Sequence, residues 1–489
     1  MKINIYKIFS FLTLLAFMSC QKMERPVMNI IPDPEDDGTI RVLAIGNSFS
    51  EDAIETHLYD LAKANGQKII IGNLYIGGAT LEQHVNNIKA NAGAYSFRKI
   101  DADGNKTTVA NTSIATALAS ENWTHISFQQ ESSNSGKFDT WSASLAELYN
   151  YVAPRAKNEN VKFILHQTWA YAKNSTHAGF DNYNKDQMQM YTAIVDAVNK
   201  AKELVDIDMI IPAGTAIQNG RTSVVEDNFT RDGYHLSMPL GRYLAACTWY
   251  ESLMGTNVIG NSYKPQGLSD FEVAIAQNAA HLALQKPNEV TPMTDFQGGA
   301  GGPLTSSVLL DFGNNAAADH WNQINSFLAG TSINLKDSIG SYVGIKLTIT
   351  ERFNGVNTDG PTTSTTPLNM PSTVSRYSYF GNSKGNFGGM IITQSKFELT
   401  GLDKDLNYDI TYFGSRGNVT DNRETKFISS GTNEVVVRLN TSNNSTNTVV
   451  AKDIKPDSSG KITVTVTSGE NNTNGSGFYY LSAARLISK

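Results

Sequence analysis

The sequence predicts an α/β domain with a central parallel sheet, followed by an all-β sandwich. Three observations carry this expectation. Between residues 41 and 290, short β-branched runs alternate with longer stretches of helical period, the pattern of a parallel sheet covered on both faces. Beyond residue 306 the period falls to two, in many short runs separated by loops rich in Asn, Ser, Thr and Gly, as in a sandwich or jelly roll. Between them, KPNEVTPMTDFQGGAGGP, beginning at Lys286, has the proline and glycine content of a linker, which we place at 291–305.

The chain starts with a lysine-bearing MKINIYKIF, an apolar FLTLLAFM and then Ser19-Cys20. This resembles a bacterial lipoprotein signal over residues 1–20, which implies lipidation of Cys20 and an exported protein anchored in the cell envelope, at the outer membrane or cell surface. Residues 21–40, rich in Pro and acidic side chains, read as a flexible tether. Cys247, the other cysteine, lies in an apolar helical stretch, so no disulfide is expected.

The α/β domain is placed at 41–290. Its five strands are expected at Arg41 to Ile45, Lys68 to Ile76, Trp123 to Gln129, Val161 to Gln167 and Ile207 to Pro212. The first helix carries Ile54, Leu58, Leu61 and Ala62 on one stripe, with Asp52 in its first turn favouring the helix dipole and Asn65-Gly66 as its stop. Further helices are expected from Asp139 to Asn158, from Asn184 to Leu204, from Ser237 to Met254, and from Ser269 to just before Pro287. YSFRKIDADGNKTTVA, from Tyr95 to Ala110, alternates around an Asp-Gly turn and reads as a hairpin forming a flap at the active-site rim. In the sandwich, 306–489, strands are expected at Val308 to Phe312, Gly344 to Ile349, Glu434 to Leu439, Lys461 to Thr467 and Phe478 to Ile487.

At 489 residues and 40% hydrophobic composition, the chain has material for two ordinary cores. Its net charge of −6, with both signs interspersed, gives no basic stripe for nucleic acid. His57, His84, His125 and His177 lack metal-ligand spacing, and GGAGGP lies in the linker rather than between strand and helix, so neither metal nor cofactor is expected.

The chemistry is carried by three residues. Ser48 follows the first strand in IGNSFS, and Asp232 and His235 stand three apart in TRDGYHLS. A hydroxyl becomes a competent nucleophile when an imidazole takes its proton, and the imidazole needs a carboxylate to fix its tautomer. Two residues between acid and base allow both side chains to face the same way. Singly, Ser48 reads as a helix N-cap and His235 as a structural histidine; the set is what points to acyl transfer.

With block one as GNSFS and the last block as DGYH, the chain resembles the SGNH/GDSL hydrolase family over residues 41 to about 255. The resemblance implies a flavodoxin-like three-layer fold, Ser48 as nucleophile, His235 as base and Asp232 as its carboxylate. It also implies an oxyanion hole from the Ser48 amide, the Gly78 amide in YIGGATLEQH (Gly77 being the alternative) and a side-chain amide. Asn47 stands where the family's name-giving aspartate usually stands, and no GxND follows the third strand. Instead there is ISFQQESSN, similar to the QGESN of carbohydrate acetylesterases, which makes Gln129, or Gln130 if the register slips by one, the implied third donor.

After the fourth strand come His166 and Trp169, expected either in the core or in contact with a sugar, and Glu131 is a further candidate for substrate binding. In the sandwich, Tyr377, Tyr379, Phe380, Tyr412 and Phe413 are core residues or sugar platforms. The function expected is a serine ester hydrolase deacetylating poly- or oligosaccharides. The rivals are a catalytically degenerate glycan-binding surface lipoprotein and an esterase for lipid or aryl esters.

Overall fold

The computed structural model describes residues 37–298, 303–313 and 318–489. The expected signal segment, Cys20 and most of the tether lie outside the described residues, as does the middle of the linker. Among the described residues no helix is long and apolar enough to cross a membrane. Contacts divide the chain into two units: one of residues up to Asn219 with Asp227–Tyr263 and Ala276–Thr291, the other of Gly220–Glu226, Lys264–Ile275 and Pro292–Lys489. The short segments 220–226 and 264–275 thus group with the second unit, although the sequence reads them as part of the α/β domain. The start of the expected linker is also tied down: within the second unit Met293 N donates to Thr222 Oγ1 and Val224 N to the Phe296 carbonyl.

The first unit holds a seven-stranded sheet of β1 (Ile40–Gly46), β2 (Ile69–Tyr75), β3 (Tyr95–Ile100), β4 (Lys106–Thr112), β5 (His125–Phe128), β6 (Lys162–His166) and β7 (Met209–Ile211), in the order β4-β3-β2-β1-β5-β6-β7. Strands β1, β2, β5, β6 and β7 are parallel. Taken alone they have the doubly wound 2-1-3-4-5 order, whose crossovers carry helices to both faces and whose connections reverse direction between β1 and β5. That reversal opens a crevice at the carboxyl end of β1, where Ser48 stands. The hairpin β3–β4 is not a flap. It pairs antiparallel with β2 and extends the sheet, because Phe97 and Ile100 bury there.

The expected first helix is two, Ser48–Ile54 and Leu58–Ala64, and both pack on the Leu240–Met254 helix. The stretch expected as one helix from Asp139 also breaks, into Phe138–Ser142 and Leu145–Val152. Asp270–Gln285 ends before Pro287, as read from the sequence.

From residue 303 on, the second unit is built mainly of β-strands, with one short helix at Ser372–Ser375. Ser332–Lys336, Tyr342–Glu351, Ser395–Thr400, Ile462–Ser468, Glu424–Ser430 and Glu434–Asn440 form, in that order, an antiparallel sheet. A second sheet runs Val449–Ile454, Tyr408–Phe413, Ala483–Ser488, Val308–Asp311 and Asn322–Gln323. Phe397, Phe427 and Val464 of one interleave with Ile410, Tyr412 and Leu486 of the other in one core. Tyr379 and Tyr412 belong to that core and Phe413 to a smaller cluster, while Phe380 is half-buried. The run expected as one strand from Phe478 splits at Ser482. Phe478–Leu481 joins a small third sheet with Ser378–Asn382 and Gly355–Asn357.

Candidate active site

Ser48 is the first residue of its helix because Asn47 caps it. Asn47 is extended, with φ −143°, and its side-chain oxygen accepts from Phe49 N at 2.9 Å. The cap lets the chain turn sharply off β1, leaving the Ser48 side chain at the crevice and its N–H among the unpaired donors of the first helical turn. Gly46 makes the turn possible by packing, since a Cβ there would lie 2.6 Å from Ser50 Oγ and 2.9 Å from Gln129 Cδ.

His235 lies 187 residues away in sequence, yet its Nε2 is 2.9 Å from Ser48 Oγ. Its Nδ1 is 2.7 Å from Asp232 Oδ2. The other Asp232 oxygen accepts from His235 N at 2.8 Å and Tyr234 N at 3.1 Å. Burial raises the Asp232 carboxyl, but hydrogen bonds from the His235 ring and then from the His235 and Tyr234 backbone outweigh it, and the group lies below its ordinary value. The carboxylate therefore stays charged and acts as an acceptor of the Nδ1 proton, leaving Nε2 as the acceptor that faces the serine. Gly233 sits between them at φ +91°, and a Cβ there would meet Ser175 Cα at 2.9 Å; the turn requires glycine.

The loop bearing His235 is held from beneath by a residue that the sequence places only at the helix dipole. Asp52, buried, accepts from Leu236 N at 2.7 Å, and pairs with Arg242 at 2.5 Å and Arg231 at 3.2 Å. Arg231 in turn donates to the Leu236 carbonyl at 2.5 Å. Burial lifts the Asp52 carboxyl above its ordinary value against the pull of Arg242 and then Arg231. A charge so costly to desolvate ties the helix that begins at Ser48 to the residue following His235.

A cavity of about 260 Å³ opens beside Ser48 and His235, walled by Tyr75, Phe49, Gly77, Gly78, Glu131 and Tyr234 among others. Among the described residues, the N–H groups of Ser48 and Gly78 have no hydrogen-bond partner, and both residues line this cavity. Gly78 is held at φ +67°.

Gln129 and Gln130 are placed otherwise than the sequence implies. Neither lines the cavity, and both are buried. Gln129 donates to Asn47 Oδ1 at 2.6 Å and its own oxygen is 3.0 Å from His166 Nδ1. Asn47 then donates to the Ala79 carbonyl at 3.1 Å, so Gln129 fixes the residue that braces the Gly78 loop. Gln130 donates to Thr140 and accepts from Leu81 N and Glu131 N.

His166 and Trp169 are also core residues rather than sugar contacts. His166 is buried against Trp249 and Trp169, and desolvation pushes its pKa down to about 3, which keeps it neutral. Trp169 stacks on Phe49 at 4.4 Å and donates to the Tyr234 carbonyl at 2.7 Å, steadying the base's loop. Glu131 does reach the cavity wall, but its carboxylate is occupied by Ser132 and Ser133. Tyr75, Tyr234 and His177 line the cavity without having been singled out. Tyr75 could have been, since it ends β2 at the carboxyl edge where ligands gather.

The family described as "Domain of unknown function (DUF4886)" matches residues 41–283. A crystal structure of a DUF4886 family protein from Bacteroides uniformis is similar at 53% identity, with 53% of this chain and 99% of that one covered and a TM-score of 0.52. A GDSL-like lipase from Bacteroides thetaiotaomicron shares 14% identity over 47% of this chain and 92% of that one, at TM-score 0.27. An acetyl-xylooligosaccharide esterase from Geobacillus, as a mutant, shares 13% over 45% and 95%, at 0.31. Among curated proteins no match is found. With that identity over nearly the whole of the Bacteroides uniformis protein, this chain belongs to the DUF4886 family.

Proposed function

We propose that the protein is a serine ester hydrolase that removes small acyl groups, acetyl foremost, from carbohydrate. The observation that carries this reading is the unbroken chain from Ser48 Oγ through the His235 ring to Asp232, at 2.9 and 2.7 Å, opening on a cavity with two unpaired backbone N–H groups.

In this reading Ser48 Oγ attacks the acyl carbonyl carbon while its proton passes to His235 Nε2, and Asp232 steadies the imidazolium. The carbonyl oxygen, now negative, is received by the Ser48 and Gly78 N–H groups, each worth about 3 kcal/mol to the transition state. His235 returns the proton to the departing alcohol oxygen as the carbon–oxygen bond breaks. Water then attacks the acyl-serine by the same route, releasing the acid and restoring Ser48. The cavity's size supports a short acyl group, since about 260 Å³ lies just below the usual range of roughly 300–1,000 Å³ for ligand pockets. Ser132, His177 and the Tyr234 ring on the same wall suit a hydroxylated alcohol half. The apolar N-terminal run ending at Cys20 supports a lipid anchor, which would set the enzyme at a membrane surface.

Ser48→Ala is the direct test. Hydrolysis of 4-nitrophenyl acetate is expected to fall by at least about 10⁴-fold with an unchanged melting temperature. Turnover retained in the variant overturns the nucleophile.

A further inference from the structure

The second unit carries a cavity of its own, of about 520 Å³, with no aromatic side chain in its wall. Arg376 lines it. The Arg376 Nε donates to the Thr358 carbonyl at 3.1 Å, which orients the guanidinium, and among the described residues no carboxylate pairs with it. Asp359, which also lines the cavity, is already paired with Arg416. The cavity therefore presents an uncompensated positive group with two terminal nitrogens of fixed geometry, the fork that matches a carboxylate.

Around it stand polar groups with unspent capacity. The side chains of Thr362 and Asn418 line the cavity and make no hydrogen bond among the described residues, and Asn418 is held there in a left-handed conformation at φ +59°. Ser415, also in the wall, is 0% exposed and its hydroxyl has no partner among the described residues. Buried polar groups are ordinarily satisfied, and strained backbone concentrates where ligands bind. A free amide and a free hydroxyl beside one guanidinium, with no aromatic side chain in the wall, suit a polyhydroxylated ligand that carries one anionic group.

We propose that this cavity binds an acidic sugar, its carboxylate held by Arg376 and its hydroxyls by Asn418 and Thr362. The site lies wholly within the second unit and does not rest on the ester-hydrolase reading. Isothermal titration of the full chain with galacturonic acid trimer, glucuronic acid-substituted xylotriose, unsubstituted xylotriose and a sulfated disaccharide tests it. At least one uronate is expected to bind, with xylotriose at least ten-fold weaker. Arg376→Ala and Arg376→Gln, both at an exposed position, are expected to weaken uronate binding at least ten-fold while leaving the melting temperature and 4-nitrophenyl acetate turnover unchanged. Failure of both uronates to bind, equal binding of xylotriose, tighter binding of the sulfated disaccharide, or undiminished uronate binding in the Arg376 variants each overturns the assignment.

Discussion

Asp52→Asn isolates what holds the base in place. The substitution keeps the side chain's shape and an oxygen for Leu236 N, but turns an amide toward Arg242 and Arg231. In the protein as it stands, Asp52 is fully buried, Arg242 has a side chain 10% exposed and Arg231 one 37% exposed. Breaking a buried pair by removing one partner costs about 3–5 kcal/mol, because a charge is left uncompensated. Arg231 recovers part of its loss from water and Arg242 keeps Glu51 at 3.6 Å, which places the cost at the lower end, about 3 kcal/mol. For a unit of this size that lowers the melting temperature by about 6–12 °C. Leu236 follows His235 directly, so loosening its anchor shifts the imidazole against Ser48, and a displacement of about 1 Å is enough for a 10²-fold loss of rate. Calorimetric melting and steady-state hydrolysis of 4-nitrophenyl acetate are the assays. The expectation is a fall in kcat of about 10- to 100-fold with KM little changed. Wild-type melting together with wild-type kcat would refute the argument that this carboxylate positions the base.

Three further expectations concern the same site. Gln129→Ala removes the partner of His166 Nδ1 and one of the two donors to Asn47 Oδ1, leaving the buried ring nitrogen unpaired at about 1–3 kcal/mol; the melting temperature is expected to drop, with kcat reduced only about ten-fold. A 10³-fold loss at unchanged melting temperature would instead restore Gln129 as an oxyanion donor. The Asp232 carboxyl titrates below its ordinary value of about 3.9 when folded, so it contributes stability above that pH which disappears as pH falls through the folded value. Asp232→Asn is therefore expected to lose less stability on acidification below about pH 4, and equal slopes in urea unfolding of variant and wild type would contradict this. Across 4-nitrophenyl acetate, butyrate and octanoate, the cavity of about 260 Å³ predicts kcat/KM falling steeply with chain length; a flat or rising series would point to a lipid ester.

Much of this was legible in the chain. The five parallel strands announce themselves because a strand buried on both faces is written almost entirely in apolar residues, as in Val42 to Ile45 and Phe163 to Leu165. Asp232 and His235 are readable because their partnership is local, fixed by a three-residue turn with a glycine in it. The misreadings share the opposite character. Asp52 looks like a helix-start carboxylate until Arg231, 179 residues away, is brought beside it. The hairpin after Tyr95 declares its own pairing but not that β2 offers it an edge. Gln129, His166 and Trp169 all stand at or just beyond strand ends, where ligands gather, yet their sequence positions do not say which way each side chain turns. Here Asn47, Trp249 and Phe49 draw them inward.

The most direct test of the account is chemical labelling of the nucleophile. The full chain is treated with a fluorophosphonate, which esterifies an activated serine, and the adduct is mapped by fragmentation mass spectrometry able to separate Ser48 from Ser50. One adduct is expected, on Ser48, and it is lost in His235→Ala. An adduct on Ser50 or elsewhere, or ester hydrolysis that continues with Ser48 unlabelled, would contradict it.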